Sequence, residues 1–523
     1  MTPSQAETLP AASIVRHSPL AGWLERATVG CLFLFALAAP HSIAATQTAW
    51  LLALVLWAAR FLVRPRPRVY RTPVDYALLG FFILTFISAL LSYDPELSVG
   101  KLRAASLFTI VYVVAENVHT PRVLRALVLL LVISCLLNVA YTFAVFAIGR
   151  DIKIRELSRA SPLAAAGVRA GDTLVEVDGR PVKDLAELEQ GIRVARAAED
   201  RQVRWPNGTV ACSWDDKVAC VQGHRAEVML VYGVPRAGLL AGDTAAARLG
   251  IVSWGRGRDE RAHGFFGHYT TYAEALQLIA SLALGLFVAL PRKTSRRGVL
   301  LAAALAALTA ALVLTVTRAS WLGLLVSAFA VALAHARRRT LVLTAAVVLP
   351  LVLVGLFVLQ QQRRVGFIDP QEGSTAWRLV VWREGLGVLF SRPRHLLVGV
   401  GMDSLKQRWR EWGMFQGGKL PWGHLHSTPL QLAFERGLPA LLVWLALLYI
   451  YGRMLWRLAR RNAGADWIER GLALGALGGL VGFATSGLVH YNFGDSEVVM
   501  IFYFIMGLAL TANQQTAQEG AHA

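Results

Sequence analysis

Apolar runs of roughly 17–25 residues recur along almost the whole of this 523-residue chain, and each is long enough to cross a bilayer as a helix. Within lipid, only a helix or a closed barrel satisfies every backbone N–H and C=O. That one feature removes most architectures. The composition agrees: 55% of residues are hydrophobic and 17% charged, more apolar than a soluble domain of this size usually is, and mean hydropathy is +0.47. The expected fold is an all-α polytopic membrane protein. Twelve helices are predicted, near 24–41, 47–63, 74–92, 102–118, 122–148, 270–290, 298–316, 319–336, 340–359, 437–456, 469–489 and 496–512. The run at 27–45 ends in Ala44 and Ala45, as a cleavable signal does. Another apolar run follows at once, so it reads as an uncleaved first span.

A formal charge of +19 suggests a nucleic-acid partner until the cations are located. Arg64, Arg66, Arg68 and Arg71 fall in one connection; Arg292, Lys293, Arg296 and Arg297 in another; then Arg337, Arg338 and Arg339; then Arg457, Arg460 and Arg461. These are alternate loops, which is the bias of cytoplasmic loops in membrane proteins. Both termini are therefore expected in the cytoplasm, and no nucleic acid is implied. Two long polar segments, 149–265 and 360–436, fall on the opposite side, the periplasm if the membrane is a bacterial inner membrane. The chain divides into helices one to five (1–148), a first periplasmic insert (149–265), helices six to nine (266–359), a second periplasmic segment (360–436), and the last three helices with a tail (437–523).

Within the first insert, residues 158–196 read as a small α+β unit. A tight Ala170-Gly171-Asp172 turn leads into a short strand, with Leu174 and Glu176 on one face and Val175 and Val177 on the other. Asp178-Gly179 is a hairpin turn pair, Arg180-Pro181-Val182 resumes the chain, and a helical pattern follows from Asp184 through Ile192. These residues resemble the second half of a bacterial PDZ domain. The resemblance implies peptide binding by strand addition; the plainer reading is an insert that packs on the membrane domain or shapes an acceptor groove. Cys31 and Cys135 lie in apolar runs and read as packed core, whereas Cys212 and Cys220 are close together in a polar stretch and are expected to pair in an oxidising compartment.

Candidate chemistry collects on the outer side. His268 and Tyr269 precede the sixth helix, where interfacial anchoring is the plain alternative. Arg318 opens the eighth helix, against the inside bias of arginine elsewhere, and competes with a snorkelling role. In 374–405, Trp377, Val381, Leu386 and Val388 predict an amphipathic surface helix, with Arg378 and Trp382 one turn apart and Arg383 as the alternative inward residue. Gly399-Val400-Gly401 marks a turn. The stretch 421–440, PWGHLHSTPLQLAFERGLPA, carries His424, His426, Ser427 and Glu435, and the last outer loop carries His490, Tyr491, Asn492, Asp495 and Glu497. Two histidines at i, i+2 without a carboxylate at ligand spacing make a poor metal site. There is no phosphate-cradling P-loop. Arginine forks suit a diphosphate, and a neutral histidine among them suits proton removal from a hydroxyl. Together they are the equipment for moving a group off a lipid-linked diphosphate.

The pattern His426-Ser427, nine residues, Gly437 resembles the signature of the O-antigen ligase and polymerase superfamily, with Ala440 departing from it. RAHGFFGHYTTYAEA, TRASWLG and WRLVVWREGLGVLFSRPRHLLVGVG resemble further segments of that family. The resemblance covers about 262–512. It implies a helical glycosyltransferase of the GT-C type that needs no metal or other cofactor. The donor would be a glycan on undecaprenyl diphosphate, and in ligases the acceptor is a lipid A-core sugar. Carried over by position, His426 would be the general base and Arg318 and Arg378 would hold the diphosphate. His268, Tyr269 and Glu435 would be second-tier site residues, and Arg383, Ser427 and His490 complete the candidate substrate-binding set. Rivals are a polymerase, a protein O-oligosaccharyltransferase, a polysaccharide transporter or flippase with ionisable groups along a path, and a sensor built around the insert.

Overall fold

The computed structural model describes residues 18–67, 69–194, 217–225, 228–257, 261–335, 373–420, 423–460 and 466–522. The long helices are α1 (Pro19–Ala38), α2 (Ile43–Arg60), α3 (Asp75–Leu90), the segmented α4 (Pro95–Ala115), α5 (Pro121–Ile148), α6 (Tyr269–Ala289), α7 (Arg296–Leu314), α8 (Arg318–His335), α9 (Gly373–Phe390), α10 (Thr428–Arg460), α11 (Trp467–Gly487) and α12 (Ser496–His522). Nine helices among the described residues are long and apolar enough to cross a membrane; α3, at 16 residues, is apolar but shorter. The protein is thus a multi-pass helical membrane protein with a small α+β insert. Of the twelve predicted helices, the one near 340–359 lies outside the described residues, as do Arg337, Arg338, Arg339 and Arg461.

Starts and stops follow local chemistry. Ser42, Thr120 and Ser295 accept from the N–H groups of Ala45, Val123 and Gly298, satisfying donors that a first helical turn leaves open. Pro19 and Pro121 occupy first-turn positions, where no N–H is needed. The bundle centres on α11, which packs on α6 and α8. A side-chain carbon on Gly285 would stand 2.2 Å from the Gly475 nitrogen, so the two backbones touch. Close approach through small residues replaces the hydrophobic drive that lipid cannot supply. Buried Gln277 of α6 donates to Ser327 Oγ of α8 at 2.9 Å.

Between α5 and α6 hangs a six-stranded antiparallel sheet built from β1 (Ile152–Leu157), β2 (Thr173–Val177), β3 (Arg180–Pro181), β4 (Val218–Arg225), β5 (Val228–Pro235) and β6 (Ile251–Arg256), ordered β5-β4-β2-β1-β6 with β3 paired to β2. Asp178 and Gly179 both have positive φ, 47° and 78°, as a type I′ hairpin turn demands. The helix after it, Leu185–Arg193, is capped by Asp184. The alternation expected of β2 is broken. A register shift between Leu174 and Glu176 brings Leu174 and Val177 together into the buried core of this domain, as an extra residue in one strand does. β1 and β6 run side by side, Ile152 opposite Arg256, and the Arg150 N–H donates to the Gly257 carbonyl at 3.1 Å. The domain therefore leaves and rejoins the membrane helices at one point. Cys220 is buried in β4, and Cys212 lies outside the described residues. Cys135 is buried within the helices and Cys31 partly so.

Candidate active site

Four chain segments converge at one end of the bundle: the start of α6, the start of α8, the segment from α9 to α10, and the loop between α11 and α12. Gln277 and Ser327, hydrogen-bonded to each other, are each nine residues beyond His268 and Arg318. Two parallel helices then put His268 and Arg318 at the same depth, about 13 Å above that contact. Arg318 is half-buried there, as the first residue of α8.

The segment 399–437 is built on backbone contact. The Val400 and Gly401 N–H groups donate to the carbonyls of Phe434 and Glu435, both at 2.9 Å. Gly437 interrupts α10 with φ 82° and ψ 167°, a conformation open essentially to glycine alone. A side-chain carbon there would sit 2.4 Å from the Leu397 carbonyl oxygen. The helix expected from 437 instead begins at Thr428, bends at Gly437 and continues. Beneath the outer segment, Val381, Val400, Leu405, Met414, Phe415, Leu425 and Phe434 form a separate small core. It fixes α9 against the turn carrying His424 and His426, and the Trp382 indole N–H donates to the Leu425 carbonyl at 2.7 Å.

On this base the imidazoles cluster. His426 has φ 47°, a strained value for a side-chain-bearing residue. Its ring lies 4.0 Å from that of His424 and meets Trp377 edge-on at 4.8 Å. The His426 N–H donates to His424 Nδ1 at 3.1 Å, so that nitrogen carries a lone pair. His490 faces Glu274 through Nδ1 at 2.9 Å, and its carbonyl accepts the Thr428 N–H at 2.9 Å. Burial and then the charges of His424 and Arg378 hold His426 down to about 2. Burial and then Arg378 hold His490 down to about 3, and His424 is brought to about 4, by burial and then Lys406. Lost hydration is the main cause that lowers His268 as well; the open edge of this ring softens that effect by solvent screening. Neutral imidazole is thus the resting form at the centre of the cluster.

Glu435 is buried below. It accepts from Gln431 Nε2 at 2.9 Å, from the Asp403 N–H at 3.2 Å and from the Tyr491 hydroxyl at 3.2 Å. It therefore ties the segments together. Ser427 is buried at the head of α10, where its carbonyl accepts the Gln431 N–H at 2.8 Å. Tyr269 packs on His268 with centroids 4.2 Å apart.

The structure brings His426 within electrostatic range of Arg378, His490 and His268, and His490 within range of Arg378, with Tyr269 packed on His268 and Ser427 next to His426. It does not bring Arg383, which is exposed and about 140° around α9 from Arg378. Leu386 is likewise exposed, so the buried side of α9 runs through Val381 and Leu389 instead. Sequence reasoning missed Glu274 and Gln431, polar residues within apolar helices, and the contact of Trp377 with His426. A buried carboxylate in a spanning helix is itself the available signal.

Residues 301–445 match the family model described as O-Antigen ligase, and residues 153–204 match a PDZ domain model. The first stretch holds Arg318, Arg378, His426, Ser427, Glu435 and Gly437; His268 and His490 lie outside it. No curated protein matches the chain.

Proposed function

We propose that this chain, a multi-pass membrane enzyme of the O-antigen ligase family with a PDZ-like insert, transfers a glycan from undecaprenyl diphosphate to an acceptor hydroxyl, a lipid A-core sugar, at the periplasmic face of the inner membrane. The observation that carries the reading is the convergence at one end of the bundle of His424 and His426, with rings 4.0 Å apart, of Trp377, the neighbour of Arg378 on α9, edge-on to His426 at 4.8 Å, and of His490, whose carbonyl accepts the Thr428 N–H at 2.9 Å. In the reaction, the acceptor oxygen attacks the anomeric carbon. Its proton passes to the free ring nitrogen of His426. The bond from the anomeric carbon to the diphosphate oxygen breaks, and the diphosphate leaves with the electron pair. Arg378 and Arg318 stabilise the charge that grows on the leaving group. No metal is needed for any of these steps.

His426 gains from the donor it serves. Unliganded, the ring is a weak base because burial and Arg378 oppose its charge. A bound diphosphate offsets Arg378 and raises the affinity of the ring for a proton when transfer must occur. A transporter would place ionisable groups along a path through the bilayer, whereas this cluster sits at one end.

The test is His426→Ala in reconstituted protein, offered lipid A-core, lipid-linked repeat units and a pilin-like protein as acceptors. Transfer should fall at least about a hundredfold, as for a lost general base, with protein level unchanged. Activity near wild type would refute the mechanism. Transfer only to a lipid-linked glycan or only to protein would assign the polymerase or protein-glycosylating role instead.

A further inference from the structure

Where the sheet domain joins the membrane helices, the end of α5 and the segments entering and leaving the sheet line an open surface groove. Its lining has two characters. Tyr141 and Phe146 come from the last turns of α5. Phe265 stacks on Tyr141 at 4.1 Å and is 48% exposed. Exposed aromatic rings at this level match the belt that membrane proteins place at the lipid–water boundary. The other wall carries Arg150, Arg261 and His263, against one carboxylate, Asp151, among the described lining residues. His263 Nδ1 meets the Phe266 carbonyl at 2.8 Å and must donate to it, so Nε2 accepts from Arg150 Nη1 at 3.2 Å. These two bonds fix the ring, and among the described lining residues two guanidinium groups stand against one carboxylate.

We propose that this pocket docks the phosphorylated headgroup of the lipid acceptor, its acyl chains lying along Tyr141, Phe146 and Phe265. Guanidinium forks match phosphate oxygens, and the exposed rings beside them call for a phosphate attached to a lipid rather than a free ion. The inference rests on the transferase reading and deepens it. A run of contacts leads from the pocket to the site. Arg261 lies over the Tyr269 ring at 4.6 Å, and Tyr269 packs on His268 at 4.2 Å. A headgroup held at Arg150 and Arg261 presents its sugar toward the imidazoles, on the side of His268 and Tyr269.

The test uses the full chain in detergent micelles, titrated by native mass spectrometry with lipid A and with the same lipid after phosphatase treatment. Wild type should hold the phosphorylated form roughly tenfold tighter, the effect of a charge-assisted hydrogen bond. Arg150→Gln should lose most of that preference, and Arg150→Lys should keep part of it. Equal affinity for the two forms, or competition by phosphatidylglycerol as strong as by lipid A, overturns the proposal. In transfer assays, Arg150→Gln should raise the acceptor KM and leave the donor KM unmoved; an unmoved acceptor KM overturns it too. Selective docking with no transfer to any of the offered acceptors, lipid or protein, supports the pocket and refutes the transferase reading. Transfer to lipid A-core without any phosphate preference does the reverse.

Discussion

Replacing Gly437 by alanine should inactivate the protein without touching any group that meets substrate. The added carbon would stand 2.4 Å from the Leu397 carbonyl oxygen and 2.8 Å from the Val398 nitrogen. Ordinary contact lies near 3.5 Å, so one backbone must retreat by about 1 Å. The neighbour cannot simply turn aside, because it is main chain. The φ of 82° adds about 1–3 kcal/mol of strain for any residue with a side chain. The retreat also parts Val400 from Phe434 and Gly401 from Glu435, two bonds worth about 1 kcal/mol each. Glu435 then moves, and with it the partners that tie Asp403 and Tyr491 to the site. A 1 Å displacement of positioned groups costs on the order of a hundredfold in rate. The assay is single-turnover transfer by reconstituted protein, with amount and monodispersity measured alongside. Ala440→Gly is the control: Ala440 is buried in the helix beyond the bend, and the change should cost only about 0.5–1 kcal/mol of stability and leave the rate within about twofold. A well-folded Gly437→Ala protein transferring at the wild-type rate would refute the view that this backbone seam positions the site.

Arg378→Ala should lower transfer at least about a hundredfold, as when one donor to a growing anion is removed, whereas Arg383→Ala, on the exposed side of α9, should change it less than about twofold; steady-state kinetics on the pair checks both. Arg318→Lys should be nearly as damaging as its removal, because a point charge does not replace a guanidinium fork. With His424 near 4 and His426 near 2, protons compete for these rings only well below neutrality. The kcat/KM profile, which reports the free enzyme, should stay flat from pH 8 to about pH 5, and an acid limb near 6.5 would contradict it. Glu274→Gln removes the carboxylate facing His490 and should reduce transfer about tenfold or more, read as kcat at saturating donor.

Much of this was legible in the chain. Apolar length located the spans, and Asp178-Gly179 located a hairpin. The spacing from His426 to Gly437 proved to be the distance from a strained turn to a bend, joined by one short helix. What escaped had no local pattern. Gln431 looks like any polar residue on a helix face until its Oε1 is seen accepting the Leu425 N–H and its Nε2 reaching Glu435. Glu274 and His490 are 216 positions apart, and no periodicity relates them. Leu386 was misplaced because α9 buries its residues against a local core as well as against the bundle, so two apolar directions blur one stripe. The β2 strand misled for a different reason, since a bulge shifts register without leaving a mark in composition.

The stalk beneath the sheet domain has a consequence for how such a chain can change over evolutionary time. Because Arg150 and Gly257 are hydrogen-bonded neighbours, everything between them is spliced into a gap that a short turn could close. A domain of almost any length can be gained, lost or exchanged there with little disturbance to α5 and α6, since loop-closure cost grows slowly with length. The helical bundle that carries His426 is then the part such an exchange leaves in place. The spliced part, which among the described lining residues reaches the groove beside Tyr141 only through Asp151, is where such chains are free to differ.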